Sequence, residues 1–184
     1  VGDVARAVAW VQGHIADKGG RADRIFLMGH SAGAQLAARV ATDPAWLARE
    51  QGTIGGICGV AAVSGAGYDL GDIETYRSGF DPLYLAERFG GSRLDGSWWR
   101  DASVVPFLDA DDPPFLVVSA TGESRALRRQ SSLFHEALGK AGAARAVHAD
   151  RMHLVEIGHG VIALGQIADL TDRRHIAIHG VDAL

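Results

Sequence analysis

One cysteine, Cys58, stands in 184 residues, so no internal disulfide can form. It lies in an apolar stretch, where a buried, inert thiol is the expectation. No apolar run approaches the roughly 20 residues that a bilayer span requires. Positive charge is not in excess: 18 Lys plus Arg face 22 Asp plus Glu, a formal charge of −4. That balance argues against a dedicated binder of nucleic acid or of an anionic membrane. No G-x-G-x-x-G or phosphate loop occurs, which leaves nucleotide binding without support. No His-Glu-x-x-His helix and no cysteine cluster accompanies the eight histidines, so neither a metal nor another cofactor is expected. Val1 is followed by no signal-peptide pattern and leads straight into a helix pattern; a cytoplasmic setting is the expectation.

What is present is globular. Apolar residues make up 47% and charged residues 22%, which excludes a disordered tail, a collagenous rod and a coiled coil. The length fits one domain, 1–184, with ample core. Val4, Ala7, Val8, Val11 and Ile15 recur at helical spacing, with Asp3 as a cap and Gly19-Gly20 as a stop. Ile25 to Met28 is a short unbroken apolar run, the pattern of a strand buried on both faces. A helix pattern through Leu36, Ala37, Val40 and Ala41 ends at Asp43-Pro44. Strands are expected at Ile57–Val63, Phe115–Val118 and Ala144–Ala149, with a helix through Leu127, Leu133, Phe134 and Leu138. Residues 66–114 read as loops with short helices, and Val155 to Leu170 as mostly helical. Alternating strands and helices imply crossover units and an α/β fold: a mostly parallel sheet with helices on both faces. Chemistry then belongs at the carboxyl ends of the strands.

At the first such end stands Gly29-His30-Ser31-Ala32-Gly33, a G-x-S-x-G pentapeptide between a predicted strand and a predicted helix. An abrupt strand-to-helix turn holds the Ser31 hydroxyl out at the sheet edge, above a helix N-terminus that favours a developing anion. The Ala32 N–H would face the oxygen of a tetrahedral intermediate.

With Gln35-Leu36-Ala37 after it, the pentapeptide resembles the α/β-hydrolase esterases of the hormone-sensitive-lipase and kynurenine-formamidase-like branch. Val63-Ser64-Gly65 with Tyr68-Asp69-Leu70 resembles the segment those enzymes carry after their next strand. Pro113-Pro114-Phe115-Leu116, Gly122-Glu123 and Arg129-Gln130-Ser131 resemble their acid-bearing strand and the helix beyond it. The likeness runs from Asp3 to about Ile157. It implies a serine hydrolase whose triad follows the order serine, acid, histidine.

A late loop is then the place for the base. Arg151-Met152-His153-Leu154 resembles the branch's His-Phe-type motif, which makes His153 the first candidate and His159 the second. The acid should follow the third strand, where related esterases usually place Asp. No Asp occurs between Asp112 and Asp150, and Glu123 is the carboxylate in the right place. Glu123 is equally compatible with a surface loop residue beside a Ser–His dyad. Asp150 is a fallback, and Asp109, Asp111 and Asp112 read as helix-end or turn acids. Trp98, Trp99, Phe80, Tyr84 and Phe89 suit core or interface better than a ligand pocket.

Two departures from the branch stand out. No His-Gly-Gly-type loop supplies a second oxyanion donor, and the strands that precede the first helix in such enzymes are missing. The strand at 25–28 would then expose one edge. An upstream part absent from the sequence, a second polypeptide, or homodimerisation through that edge are the three explanations. The leading expectation is hydrolysis of small uncharged carboxylic esters through an acyl-serine. The alternatives are an aryl-formamidase acting on an N-formylkynurenine-type amide, and a non-catalytic hydrolase fold used for binding or self-association.

Overall fold

In the computed structural model the apolar runs lie side by side as a parallel sheet, in the order β1 (Ile25–His30), β2 (Ile57–Val63), β3 (Phe115–Val118) and β4 (Ala146–Ala149). The structure describes residues 1–79, 81, 98–143, 146–149, 152–157 and 160–165. Each parallel pair is joined by a crossover, as strands of one direction require. The helices are α1 (Gly2–His14), α2 (Ala32–Thr42), α3 (Pro44–Arg49), α4 (Ile73–Arg77), α5 (Trp98–Ala102) and α6 (Arg125–Ala141). A separate antiparallel pair is formed by β5 (Met152–Ile157) and β6 (Gly160–Gly165).

The helix expected over Val155 to Leu170 is therefore replaced, as far as Gly165, by two strands. The run Met152-His153-Leu154-Val155-Glu156-Ile157 carries β-branched residues in alternation, and Gly158 and Gly160 break any helical period. Asp3 is not the cap of α1 either. That helix begins at Gly2, and Asp3 lies in its first turn, where a carboxylate suits the positive end of the dipole.

The sheet owes its core to residue alternation. Leu27, Val60 and Phe115 share one register level, and Gly29, Ala62 and Val117 share another on the same face. Ala34, Ala37, Ala38 and Ala41 of α2 and Phe134 and Leu138 of α6 join them in one buried cluster. The small α2 residues let that helix lie close over β1 and β2. Phe134 stacks on Tyr68 at 4.2 Å between ring centroids and meets Phe115 edge-on at 5.3 Å. Each such pair adds about 0.5–1.5 kcal/mol beyond burial.

The opposite face differs from the pattern expected for β1. Phe26 and Met28 are 69% and 67% exposed, so the strand is covered on one face only among the described residues. Its outer flank has no hydrogen-bonded neighbour among them. Val4, Ala7 and Val11 of α1 line a groove of about 420 Å³ with Ile25, Phe26 and Leu27 along that flank. This explains why the apolar stripe of α1 is wider than its buried line, which is Ala5 and Val8. Cys58 is half-buried, its thiol directed to the Asp23 carbonyl at 3.4 Å.

Loops at the carboxyl end of the sheet are braced by buried polar groups. Gln130 of α6 donates to the Asp69 carbonyl at 2.8 Å and to Thr75 Oγ1 at 2.8 Å, and accepts from the Asp69 N–H at 2.9 Å. Asp72 caps α4 by accepting from the Thr75 N–H, and pairs with Arg129 through two bonds of 2.5 Å. From α2, Gln35 donates to the Ala102 carbonyl at 2.6 Å. Residues Asp69, Asp72 and Thr75 are thereby fastened to α6.

Candidate active site

Ser31 is the N-cap of α2 and holds φ 55° and ψ −122°. Positive φ with negative ψ lies outside the regions an L-residue favours, so the turn is strained at one residue. The strain has a local cause. β1 ends and α2 begins within that single position, the Ser31 N–H bonding to the Val63 carbonyl and the Ala34 N–H to the Ser31 carbonyl, both at 3.0 Å. A Cβ at Gly29 would strike the Gly33 carbonyl and stand 2.6 Å from the Ala34 nitrogen, so only glycine lets the strand pass so close beneath the helix. The second glycine is different: a Cβ at Gly33 meets nothing within 4 Å. Ser31 itself is exposed at the sheet edge. Ala32 is the first residue of α2, where an N–H has no acceptor within the helix.

Three serines follow the last residues of three adjacent strands: Ser31, Ser64 and Ser119. His30, Val63 and Val118 are register partners across β1, β2 and β3. Ser64 repeats the positive φ of Ser31, at 50°, and its N–H bonds to the Val118 carbonyl at 2.7 Å. Beyond β3 the chain turns through Glu123, whose N–H meets the Ala120 carbonyl at 3.2 Å. Ser124 then caps α6 through the Leu127 N–H at 3.3 Å. The Glu123 carboxylate comes back over the end of β2, where Oε1 accepts a hydrogen bond from the Ser64 hydroxyl. Oε2 is buried and has no hydrogen-bond partner among the described residues. Tyr68 lies fully buried below, its phenol pushed to higher pKa first by burial and then by the charge of Glu123.

Ser31, Ala32 and Glu123 all follow strand ends at the carboxyl side of the sheet. His153 was expected in a loop and is instead the second residue of β5, opposite Leu164. His159 and Asp150 lie outside the described residues, as do Phe80, Tyr84 and Phe89. Asp109, Asp111 and Asp112 form a turn of their own: the Asp109 N–H bonds to Asp112 at 2.9 Å and the Asp111 N–H to Asp109 at 2.8 Å. Trp99 packs its ring against Gly71, where a Cβ would stand 2.8 Å from it. In the sequence, Ser64 and Tyr68 stand out only through the resemblance of Val63-Ser64-Gly65 and Tyr68-Asp69-Leu70 to the esterase branch. A serine directly after a predicted strand was the signal available for Ser64.

An open parallel sheet with a strained serine between strand and helix defines a class of protein, the hydrolases of α/β architecture. Residues 1–155 match the family described as alpha/beta hydrolase fold, and the chain belongs to that family. Among curated proteins it is similar to the esterase LipQ of Mycobacterium tuberculosis, 34% identical over 152 residues. That match covers 80% of this chain and 36% of LipQ. A probable carboxylic ester hydrolase of the same organism, LipM, is 29% identical over 153 residues, covering 80% of this chain and 35% of that protein. The chain therefore spans about a third of the length of these relatives. Among solved structures it resembles the butyrate-bound thermophilic esterase Est2 of Thermogutta terrifontis, with TM-score 0.60, 22% identity, 82% of this chain and 54% of that one. The thermostable carboxylesterase EstE1, cloned from a metagenomic library, gives TM-score 0.59 at 24% identity over 79% of this chain and 51% of that one.

Proposed function

We propose that residues 1–184 belong to one α/β-hydrolase domain, of which they are a part, and that this domain cleaves small, uncharged carboxylic esters through an acyl-serine intermediate. The observation that carries this is Ser31 itself: exposed, at φ 55° and ψ −122°, and at the N-cap position of a helix to which its hydroxyl gives no cap hydrogen bond. A strained turn of that kind persists where the position of the side chain matters. The named activities of LipQ and LipM favour ester over amide substrates.

In this mechanism the Ser31 Oγ attacks the ester carbonyl carbon while His153 takes the hydroxyl proton. The tetrahedral oxyanion is met by the Ala32 N–H and by the positive end of α2. Collapse breaks the bond to the alcohol oxygen, and His153 returns the proton to the departing alcohol. Water then attacks the acyl-serine by the same route, releasing the carboxylic acid and restoring Ser31. Glu123 orients the imidazole and stabilises its charged form.

A fluorophosphonate probe tests the nucleophile. The native protein should be labelled and should hydrolyse p-nitrophenyl acetate, and Ser31→Ala should lose both. Labelling that survives in Ser31→Ala would overturn the assignment; a native protein that takes no label would favour the non-catalytic alternative.

A further inference from the structure

We propose that Ser64 is the positioning residue for Glu123: its hydroxyl occupies Oε1 and thereby dedicates Oε2 to the histidine base. The inference rests on the serine hydrolase assignment above and deepens it.

Glutamate at this place needs such help. Its side chain has one more rotatable bond than aspartate, so the same carboxylate position is reached from more rotamers. Ser64 supplies the missing restraint from a neighbouring strand. Its hydroxyl donates to Oε1, while its own N–H is fixed to the last carbonyl of β3, the strand from which Glu123 departs. Carboxylate and donor are thus referred to the same strand end. The positive φ at Ser64 is what turns the residue out of the line of β2 at this point. Tyr68 closes the space beside it: a Cβ on Gly65 would collide with the Tyr68 hydroxyl, so the loop has room for the phenol only because residue 65 is glycine.

The second oxygen completes the argument. A buried carboxylate oxygen without a donor is a costly group, and native structures pair nearly all of them. Oε2 of Glu123 is in that condition among the described residues. An imidazole N–H is the donor a triad acid requires, and an oxygen kept clear of other partners is the one that can receive it.

The test compares Ser64→Gly, which tolerates the positive φ and so keeps the fold, with Glu123→Ala and with the double variant, all read on p-nitrophenyl acetate. Ser64→Gly should lower kcat by about 10- to 100-fold, the worth of one hydrogen bond to a charged group, with KM nearly unchanged. The acid limb of its kcat/KM profile should move to lower pH, because a misaligned carboxylate no longer favours the imidazolium. The double variant should be no slower than Glu123→Ala alone, since both remove one device. If Glu123→Ala is impaired while Ser64→Gly keeps native kcat and native acid limb, the positioning role is overturned and the triad survives. Losses that multiply in the double variant also overturn it. If Glu123→Ala itself is unimpaired, both assignments fall together.

Discussion

At the scale of single residues, the G-x-S-x-G pentapeptide is not uniform in what it demands. Gly29 is needed because backbone of α2 fills the place of its side chain, whereas the corresponding place at Gly33 is empty. Gly29→Ala should therefore force β1 and α2 apart, at a cost on the order of 2 kcal/mol. In a thermal melt that corresponds to a loss of about 4–8 °C for a chain of this size. Gly33→Ala should leave the melting temperature unchanged or slightly raised, because alanine is the better helix former. Equal losses in the two variants would show that the second glycine has a steric duty too. The pentapeptide was legible in the sequence since strain, turn and helix start all fall within five residues. That a carboxylate follows β3 was legible from Glu123 alone. Its hydrogen bond to Ser64 was not, because that contact joins residues 59 positions apart across two strands.

Elements were legible wherever their signal is local. The strands at 25, 57 and 115 and the helix ending at Gly142 follow their apolar periods and their stops. The hairpin of β5 and β6 was not, because apolar runs of about six residues suit strand and helix alike until a partner strand is known. The short α4 illustrates an element held by its cap more than by its length. Asp72 accepts from the Thr75 N–H and pairs with Arg129, whose hydrogen bonds hold the carboxyl down to about 2. Its ionised form stabilises the fold fully above about pH 4, and the contribution is lost as pH falls toward 2. Asp72→Ala should cost about 1–2 kcal/mol at pH 7, most of it from the lost cap, since Arg129 is partly exposed and the ion pair is screened. Asp72→Asn keeps an acceptor for the cap and should cost less. Urea midpoints of the native protein and Asp72→Asn should differ at pH 6 and converge by pH 2; a difference independent of pH would remove the charge from the account.

For the whole molecule, one buried acid sets a counter-current in stability. Burial pushes the Asp112 carboxyl up to about 6 while it accepts the Asp109 N–H. Between about pH 4 and pH 6 the folded chain retains a proton that the unfolded chain has released, so stability falls as pH rises through that window. Asp112→Asn keeps the acceptor and removes the charge, and should raise stability at pH 7 by on the order of 1–2 kcal/mol with no gain at pH 4. Melting temperatures across that range decide it; an equal gain at both ends would place the effect elsewhere. The sheet as a whole carries a second asymmetry. Alternate amides of Ile25–His30 point away from β2, and β1 has that one neighbour among the described residues, whereas β3 is bonded on both sides. The strand that delivers the nucleophile is thus an edge strand, as β4 is at the other end, whereas the strand that leads to the acid is interior. A strand laid along the outer flank would pair those free amides, and by linkage whatever it added to the hold of a transition-state mimic on Ser31 would return as an equal gain in its own hold on β1.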